Sequence, residues 1–328
     1  MRRRLLTVLF LASLVCTAGV AVWLLFLREE VPANLDSAQQ YILLAPDMEE
    51  RYFVEVALGA KEADKALGTD TLLVHYRDQN NLPEYIRDAG LSGVKGIIMK
   101  GDLRCGDAVA EVVGNGIPIL FYDSDFPQKG RTSYVGNDNY ALGYLAGELL
   151  EELMGPEGAY LIVTRSKNAF SQSERLRGIE DALSGYPDLA CAQVIEDRGE
   201  MMTLRLRLQE ALRSDGPIRG ILTLGGISAD ILGNLLEQFS VDPDEMSVIV
   251  TDLTETAASY IQSGTYDAVI ALDPRKIGYR SVEALWQYDT KGIPLSSLVT
   301  LDTSVVTKDN LSEYLKEKEN DALEWNSY

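Results

Sequence analysis

Histidine is nearly missing from this chain: 328 residues contain one, His75. A histidine-based catalytic triad or a multi-histidine metal site would have to be built around that residue, and it stands in Thr71-Leu72-Leu73-Val74-His75-Tyr76, a strand-like run where a structural role is expected. No HExxH, GxSxG or GxxxxGK[ST] pattern and no Cys/His cluster occurs. Cysteine is scarce too. Of Cys16, Cys105 and Cys191, the first lies in an apolar N-terminal run, so only the other two could pair. Their apolar-periodic surroundings predict two free buried thiols. Basic residues are outnumbered: four of the 30 precede residue 29 and none of the 50 acidic ones does. Residues 29–328 therefore carry 26 basic against 50 acidic side chains, a formal charge of −24. Such a surface repels phosphate backbones, which excludes nucleic acid as a partner, and it disfavours anionic lipid surfaces.

What is present begins at the N-terminus. Arg2, Arg3 and Arg4 precede an uncharged apolar run over residues 5–27, followed by Arg28, Glu29 and Glu30. At about 1.5 Å per residue the run is about 34 Å long, enough for a hydrocarbon core of roughly 30 Å. The arginine cluster predicts a cytoplasmic N-terminus and an extracellular remainder. Two other readings stay open: a cleaved signal, which cutting after Ala18 would leave with an apolar new terminus, and lipid attachment at Cys16, whose preceding Ser13-Leu14-Val15 departs from the lipoprotein pattern. A single-pass cell-membrane anchor over residues 1–28, with a linker at 29–40, is the expectation.

Beyond the linker, apolar runs of strand length alternate with helical patterns. Strands are expected at 41–45, 71–76, 96–99 and 117–122, with helices over 49–67 (closed by Gly68), 82–89 and 107–113. A second series places strands at 159–163, 192–195, 220–224, 247–250 and 268–271. Helices follow over 171–183, 203–212, 229–239, 254–262 and 277–288. Continuous Ile/Val/Leu strands separated by helices imply parallel sheets covered on both faces, and two series in roughly 300 residues imply two doubly wound lobes.

Ligands of such sheets bind beyond the carboxyl ends of the strands. Those places hold Glu50, Tyr52 and Phe53; Lys100 and Asp102; Asp123 and Asp125; Arg165, Lys167, Asn168 and Arg175; Gly225-Gly226; Asp252; and Asp273. Two adjacent aromatics among carboxylates and a few cations suit a small neutral polyol. Rings cover the apolar face of a sugar, and Asp and Arg take its hydroxyls in charge-assisted hydrogen bonds.

Landmarks in the right order carry a resemblance. They are Tyr52-Phe53, Gly96-Ile97-Ile98, the run from Gly116-Ile117-Pro118 to Tyr122-Asp123, and Tyr134-Val135-Gly136-Asn137-Asp138-Asn139-Tyr140-Ala141-Leu142-Gly143. Ser173-Glu174-Arg175-Leu176-Arg177-Gly178, Val250-Thr251-Asp252 and Asp273-Pro274-Arg275-Lys276-Ile277-Gly278 follow. From Tyr41 to Thr307 the chain resembles the ribose/galactose-type periplasmic sugar-binding proteins, whose fold is shared with the effector domains of lac-repressor-class regulators. The resemblance implies an α/β fold of two doubly wound parallel-sheet lobes, here preceded by one transmembrane helix. It implies lobe 1 from 41–137 plus 274–301, lobe 2 from 138–273 plus 302–308, and a polar tail at 309–328. Three crossovers would form a hinge near Asp138, near Asp273 and Pro274, and near Leu301-Asp302-Thr303. It also implies Tyr52 and Phe53 as stacking rings, Asp123, Arg175 and Asp252 as hydroxyl binders, and Glu50 and Lys100 at places where ribose binders carry asparagine.

The departures point away from ribose. Gly225-Gly226 stands where Asn-Asp is expected and Leu272 where glutamine is, which enlarges the cleft and makes it less polar. A larger or modified sugar, a nucleoside or a non-sugar ligand fits better; the expected ligand is a sugar, polyol or nucleoside. The implied function is a membrane-anchored extracytoplasmic solute receptor that acts by lobe closure, with no cofactor and no metal, and feeds a transporter permease or a sensor kinase. The alternative is a degenerate, ligand-free scaffold that binds a membrane signalling partner. A repressor is excluded because the apolar run occupies the place of a helix-turn-helix. An enzyme is not expected: Asp123 with Asp252 could imitate a paired-carboxylate glycosidase, but the resemblance assigns both to ligand hydroxyls.

Overall fold

The computed structural model describes residues 40–46, 51–126, 130–198, 200–213, 218–225 and 228–325. Lobe 1 is a six-stranded sheet made of β1 (Tyr41–Pro46), β2 (Thr71–Tyr76), β3 (Gly96–Lys100), β4 (Ile119–Tyr122), β5 (Ser133–Gly136) and β11 (Val299–Thr300), in the order β11-β5-β4-β3-β1-β2. Lobe 2 is built from β6 (Gly158–Thr164), β7 (Leu189–Glu196), β8 (Ile218–Thr223), β9 (Ser247–Thr251), β10 (Ala268–Ala271) and β12 (Ser304–Val306), in the order β12-β10-β9-β8-β6-β7. All pairings are parallel except β10 with β12. Ile42, Leu43 and Leu44 on β1 are at most 1% exposed, so successive side chains are buried on opposite faces. Each sheet separates two apolar clusters accordingly.

The helices are α1 (Arg51–Leu67), α2 (Leu82–Leu91), α3 (Gly106–Gly114), α4 (Asn139–Met154), α5 (Phe170–Leu183), α6 (Met201–Leu212), α7 (Ser228–Gln238), α8 (Glu255–Ser263), α9 (Pro274–Lys291) and α10 (Leu311–Trp325). The chain passes between the sheets three times: from β5 to α4, from β10 to α9, and from β11 to β12. Two of these passages start a helix with an aspartate cap. Asp138 accepts from the Ala141 N–H at 3.0 Å and Asp273 from the Lys276 N–H at 2.9 Å, with Pro274 in the first turn. Asn137 donates to the Leu301 carbonyl at 2.9 Å, tying the first passage to the third.

Several details differ from the sequence reading. The segment expected as a polar tail contains α10, where Leu311 is buried and Tyr314 packs on the lobe 2 core. Lys318 of the same helix pairs with Asp273. No disulfide joins Cys105 and Cys191, but only Cys105 is buried; Cys191 is exposed, because β7 is the edge strand of its sheet. The apolar run at 5–27, and the anchor expected there, lie outside the described residues. Among the described residues no helix is long and apolar enough to cross a membrane.

Candidate functional site

The carboxyl ends of both sheets bring together side chains from distant parts of the chain. Asp123 follows β4 and Asp252 follows β9, and each holds a left-handed backbone, φ 61° and 75°. That conformation is uncommon for a residue with a side chain and concentrates at functional positions. The Asp123 carboxylate pairs with Lys100 Nζ at 2.8 Å and accepts from Ser124 Oγ at 2.9 Å. Its main-chain carbonyl accepts from Asn139 Nδ2 at 2.8 Å. Arg175 reaches the same place from α5. It is only 5% exposed, donating through Nε to Asn139 Oδ1 at 2.8 Å and through Nη1 to the Leu224 carbonyl at 2.6 Å. Asn139 thus links the Asp123 main-chain carbonyl of lobe 1 to the lobe 2 guanidinium, and its own orientation follows from both bonds.

Tyr52 and Phe53 open α1 with rings 5.4 Å apart and edge-on at 87°. Tyr52 is half-buried and packs against the cores of both lobes. Phe53 is buried in the lobe 1 core, with the Lys100 ammonium 5.2 Å above its ring. The sequence-derived residues Tyr52, Lys100, Asp123, Arg175 and Asp252 therefore meet, and Phe53 stands directly behind them. Glu50 lies outside the described residues. Asp102 is engaged locally, capping the turn at Arg104 and pairing with that side chain. Asn139 and Ser124 were given no role by the sequence, although Asn139 falls in the run from Tyr134 to Gly143.

The electrostatics are those of a partly buried, charged cleft. Burial pushes the Asp123 carboxyl up, but Lys100, Arg175 and the Ser124 hydroxyl outweigh it and hold the group below the usual carboxylate range. Burial, reinforced by Asp123, Tyr134 and Asp252, holds the Tyr52 hydroxyl well above its ordinary value, with Arg175 opposing. Tyr52 therefore stays a neutral donor and acceptor. Among the described residues no group of three His, Cys, Asp or Glu side chains could hold a metal. A separate open groove of about 1180 Å³ lies at the other end of lobe 2, where the last turns of α6 and α7 meet the starts of β8 and β9. It mixes Arg205, Arg213 and Arg219 with Asp242 and Asp267, and none of the converging residues lines it.

The chain that folds into these two sheets matches one family across residues 41–292, that of the periplasmic binding protein domain. The chain belongs to that family. As a member of the periplasmic binding protein domain family it is a binding protein and not an enzyme. A D-apiose import binding protein of Actinobacillus succinogenes is 24% identical over 186 residues, 55% of this chain and 60% of that relative, so the match spans less than two thirds of its length. The crystal structure of GanP, a glucose-galactose binding protein from Geobacillus stearothermophilus, is 25% identical with a TM-score of 0.77, covering 84% of this chain and 99% of that one. The fold also matches the XylFII-LytSN complex at a TM-score of 0.75 and 21% identity, over 84% of this chain and 99% of that one.

Proposed function

We propose that this protein is a membrane-anchored extracytoplasmic receptor for a small carbohydrate-like ligand, held between the lobes and read out by their closure. The observation that supports it most is the meeting of Tyr52, Lys100, Asp123, Arg175 and Asp252, drawn from five separated places. Carboxylates accept from sugar hydroxyls, the arginine fork donates to them, and the half-buried Tyr52 ring offers an apolar face. Glu50 and Phe53 complete the proposed set. The hinge is assigned to the passages at Asp138, at Asp273 and Pro274, and at residues 301–303. Closure shifts a population, so a downstream partner must contact open and closed forms differently. That partner is a transporter permease or a sensor kinase. The relatives' import names favour the first, and the complex that XylFII forms with LytSN supports a docked protein partner.

Two observations favour the ligand-free alternative. The lobes already touch through Phe126 and Phe170, with ring centroids 4.4 Å apart, and Lys100 already occupies one oxygen of Asp123. Thermal-shift titration of the full chain in detergent against monosaccharides, polyols and nucleosides separates the two readings. A ligand at about 100 times its dissociation constant adds about 2.7 kcal/mol. No shift with any compound, together with capture of a membrane partner, would overturn the receptor reading in favour of the scaffold.

A further inference from the structure

Phe126 and Phe170 bridge the lobes beside the proposed ligand residues. Phe126 follows Asp123 on lobe 1 and is 3% exposed; Phe170 is the first residue of α5 on lobe 2, the helix that carries Arg175. Their ring centroids lie 4.4 Å apart with planes tilted by 52°, and Phe170 packs on the apolar cluster of lobe 1. Both rings are presented by ordered backbone. The Arg131 fork holds the Asp125 carboxylate at 2.6 and 2.7 Å and reaches the Ser297 carbonyl at 2.7 Å, which fixes the segment leading to Phe126. Asp125, a strand-end candidate, is thereby engaged in structure. On the other side Ser173 Oγ donates to the Phe170 carbonyl at 2.9 Å. Other contacts between the lobes are weaker or belong to the ligand site. Arg51 and Glu255, at the starts of α1 and α8, stand 3.9 Å apart with both side chains exposed, an ion pair that contributes little. Tyr52 touches both cores, but as a ring of the proposed ligand site.

We propose that Phe126 and Phe170 form an aromatic latch that holds the lobes closed before any ligand arrives, and so sets the closed fraction that a partner reads. The proposal rests on the lobe-closure reading above, though on no particular ligand. Opening withdraws Phe170 from lobe 1 and returns apolar surface of both rings to water, which burial and the ring contact oppose. A ligand that binds the closed form then gives up little affinity to closure, and a partner that recognises closure meets a basal closed population.

Inter-lobe distances on the full chain in detergent, with no compound added, test the latch. Spin labels at Asp107→Cys and Thr256→Cys sit at exposed positions on the cleft ends of α3 and α8; Cys16→Ser and Cys191→Ser remove competing thiols, and Cys105 is buried. Pulsed electron paramagnetic resonance should give one short, closed distance for the chain with both phenylalanines. Phe170→Ala should raise the open-to-closed ratio about tenfold, the effect of losing roughly half the burial of one phenylalanine. Phe170→Glu should make a longer, open distance dominant, because a carboxylate without a partner cannot stay in an apolar cluster. At the first residue of α5 that carboxylate suits the helix dipole, so lobe 2 keeps its fold, which circular dichroism checks. If Phe170→Glu fails to fold, Phe170→Ala decides. A dominant open distance with both phenylalanines present, or no rise in the open population in the folded variants, would overturn the latch. The sugar screen is a separate outcome: a chain that binds none of those compounds can still be latched, and a chain that binds one can open freely.

Discussion

In lobe 1 helix α1 packs on α9, and in lobe 2 helix α5 packs on α4, with glycines at matching positions. Gly59 and Gly178 are each the ninth residue of their helix; Gly278 and Gly143 are each the fifth. A Cβ on Gly278 would lie 1.9 Å from the Val56 carbonyl oxygen, and one on Gly143 would lie 1.9 Å from that of Arg175, the sixth residue of each partner helix. β4 and β9 hold the same place in their sheets, and each is followed by an aspartate with a left-handed backbone. The lobes therefore share a backbone plan down to individual contacts. They differ in the side chains hung on it: lobe 1 has Val56 where lobe 2 buries Arg175. Packing alone is satisfied by the valine, so the arginine is there for what it touches in the cleft.

The largest expected effect tests that difference directly. Arg175→Ala should abolish ligand-dependent stabilisation, a loss of ~2–5 kcal/mol in binding if the contact is charge-assisted and buried. It should also cost about 1–3 kcal/mol of fold stability, because the Leu224 carbonyl and the Asn139 amide oxygen lose their donor. Val56→Ala, its lobe 1 counterpart, should cost about 1.6 kcal/mol of stability, at about 0.8 per buried methyl-sized group, and leave affinity unchanged. Urea unfolding with and without ligand measures both. Equal effects on affinity would show that the arginine is only a packing residue.

Next come the contact glycines. Gly59→Ala and Gly143→Ala each force a methyl against a helix carbonyl, at 1.8 and 1.9 Å. Backbone cannot rotate away as a side chain can, so each should cost at least the roughly 1–3 kcal/mol typical of overpacking. The asymmetry lies in binding: displacing α5 moves Arg175, so Gly143→Ala should also weaken ligand. If either variant unfolds at the wild-type urea midpoint, the shared packing plan is wrong in that lobe.

The acid limb of stability separates the lobes again. The folded Asp123 carboxyl sits below its unfolded value of about 3.9, so it contributes stability that is present above that value and lost as pH falls through the folded one. Lys100→Met removes the strongest lowering influence and leaves the burial. The Asp123 proton should then bind at higher pH, and acid destabilisation should begin earlier. Leu224, which precedes Gly225 as Lys100 precedes Gly101, offers the control: Leu224→Met should leave the acid limb in place. Urea midpoints between pH 3 and 7 report both, and identical acid limbs for wild type and Lys100→Met would remove Lys100 as the partner of Asp123.

How much of this was legible in the sequence depends on the strand. The apolar run at 268–271 was read to its exact ends, because a strand buried on both faces has no other pattern to show; 71–76, on the edge strand β2, was read to its ends too, although Leu72, Leu73 and His75 are only partly buried. No element was predicted over Asn139–Met154, where Gly143 and Gly147 interrupt the apolar periodicity; both are contact glycines that let α4 approach α5. The four-residue β5 was missed as well, being short and mostly polar or small. That omission explains the main gap in the site. Searching the ends of predicted strands found Tyr52, Lys100, Asp123, Arg175 and Asp252, but Asn139 follows a strand that had not been recognised. Phe53 was read together with Tyr52 as a stacking ring; helical geometry turns adjacent residues about 100° apart, so the two rings back the cleft from different directions, Phe53 from within the lobe 1 core.

The smallest expected effect concerns the two thiols, one in each lobe. Cys105 is 0% exposed at the start of α3, and burial, with Asp102 adding to it, pushes its thiol up to about 12. Cys191 lies on the edge strand β7 and is exposed, with its thiol pushed up to about 11 by partial burial. Thiolate is the reactive form, so both should alkylate slowly near neutral pH. Access then decides between them. Iodoacetamide at pH 8, followed by peptide mass mapping of the folded chain, should modify Cys191 and spare Cys105, with no measurable change in stability. In denaturant both should react. Modification of Cys105 at the Cys191 rate in the native protein would mean that lobe 1 opens locally around α3, and that the two lobes differ in rigidity as well as in side chains.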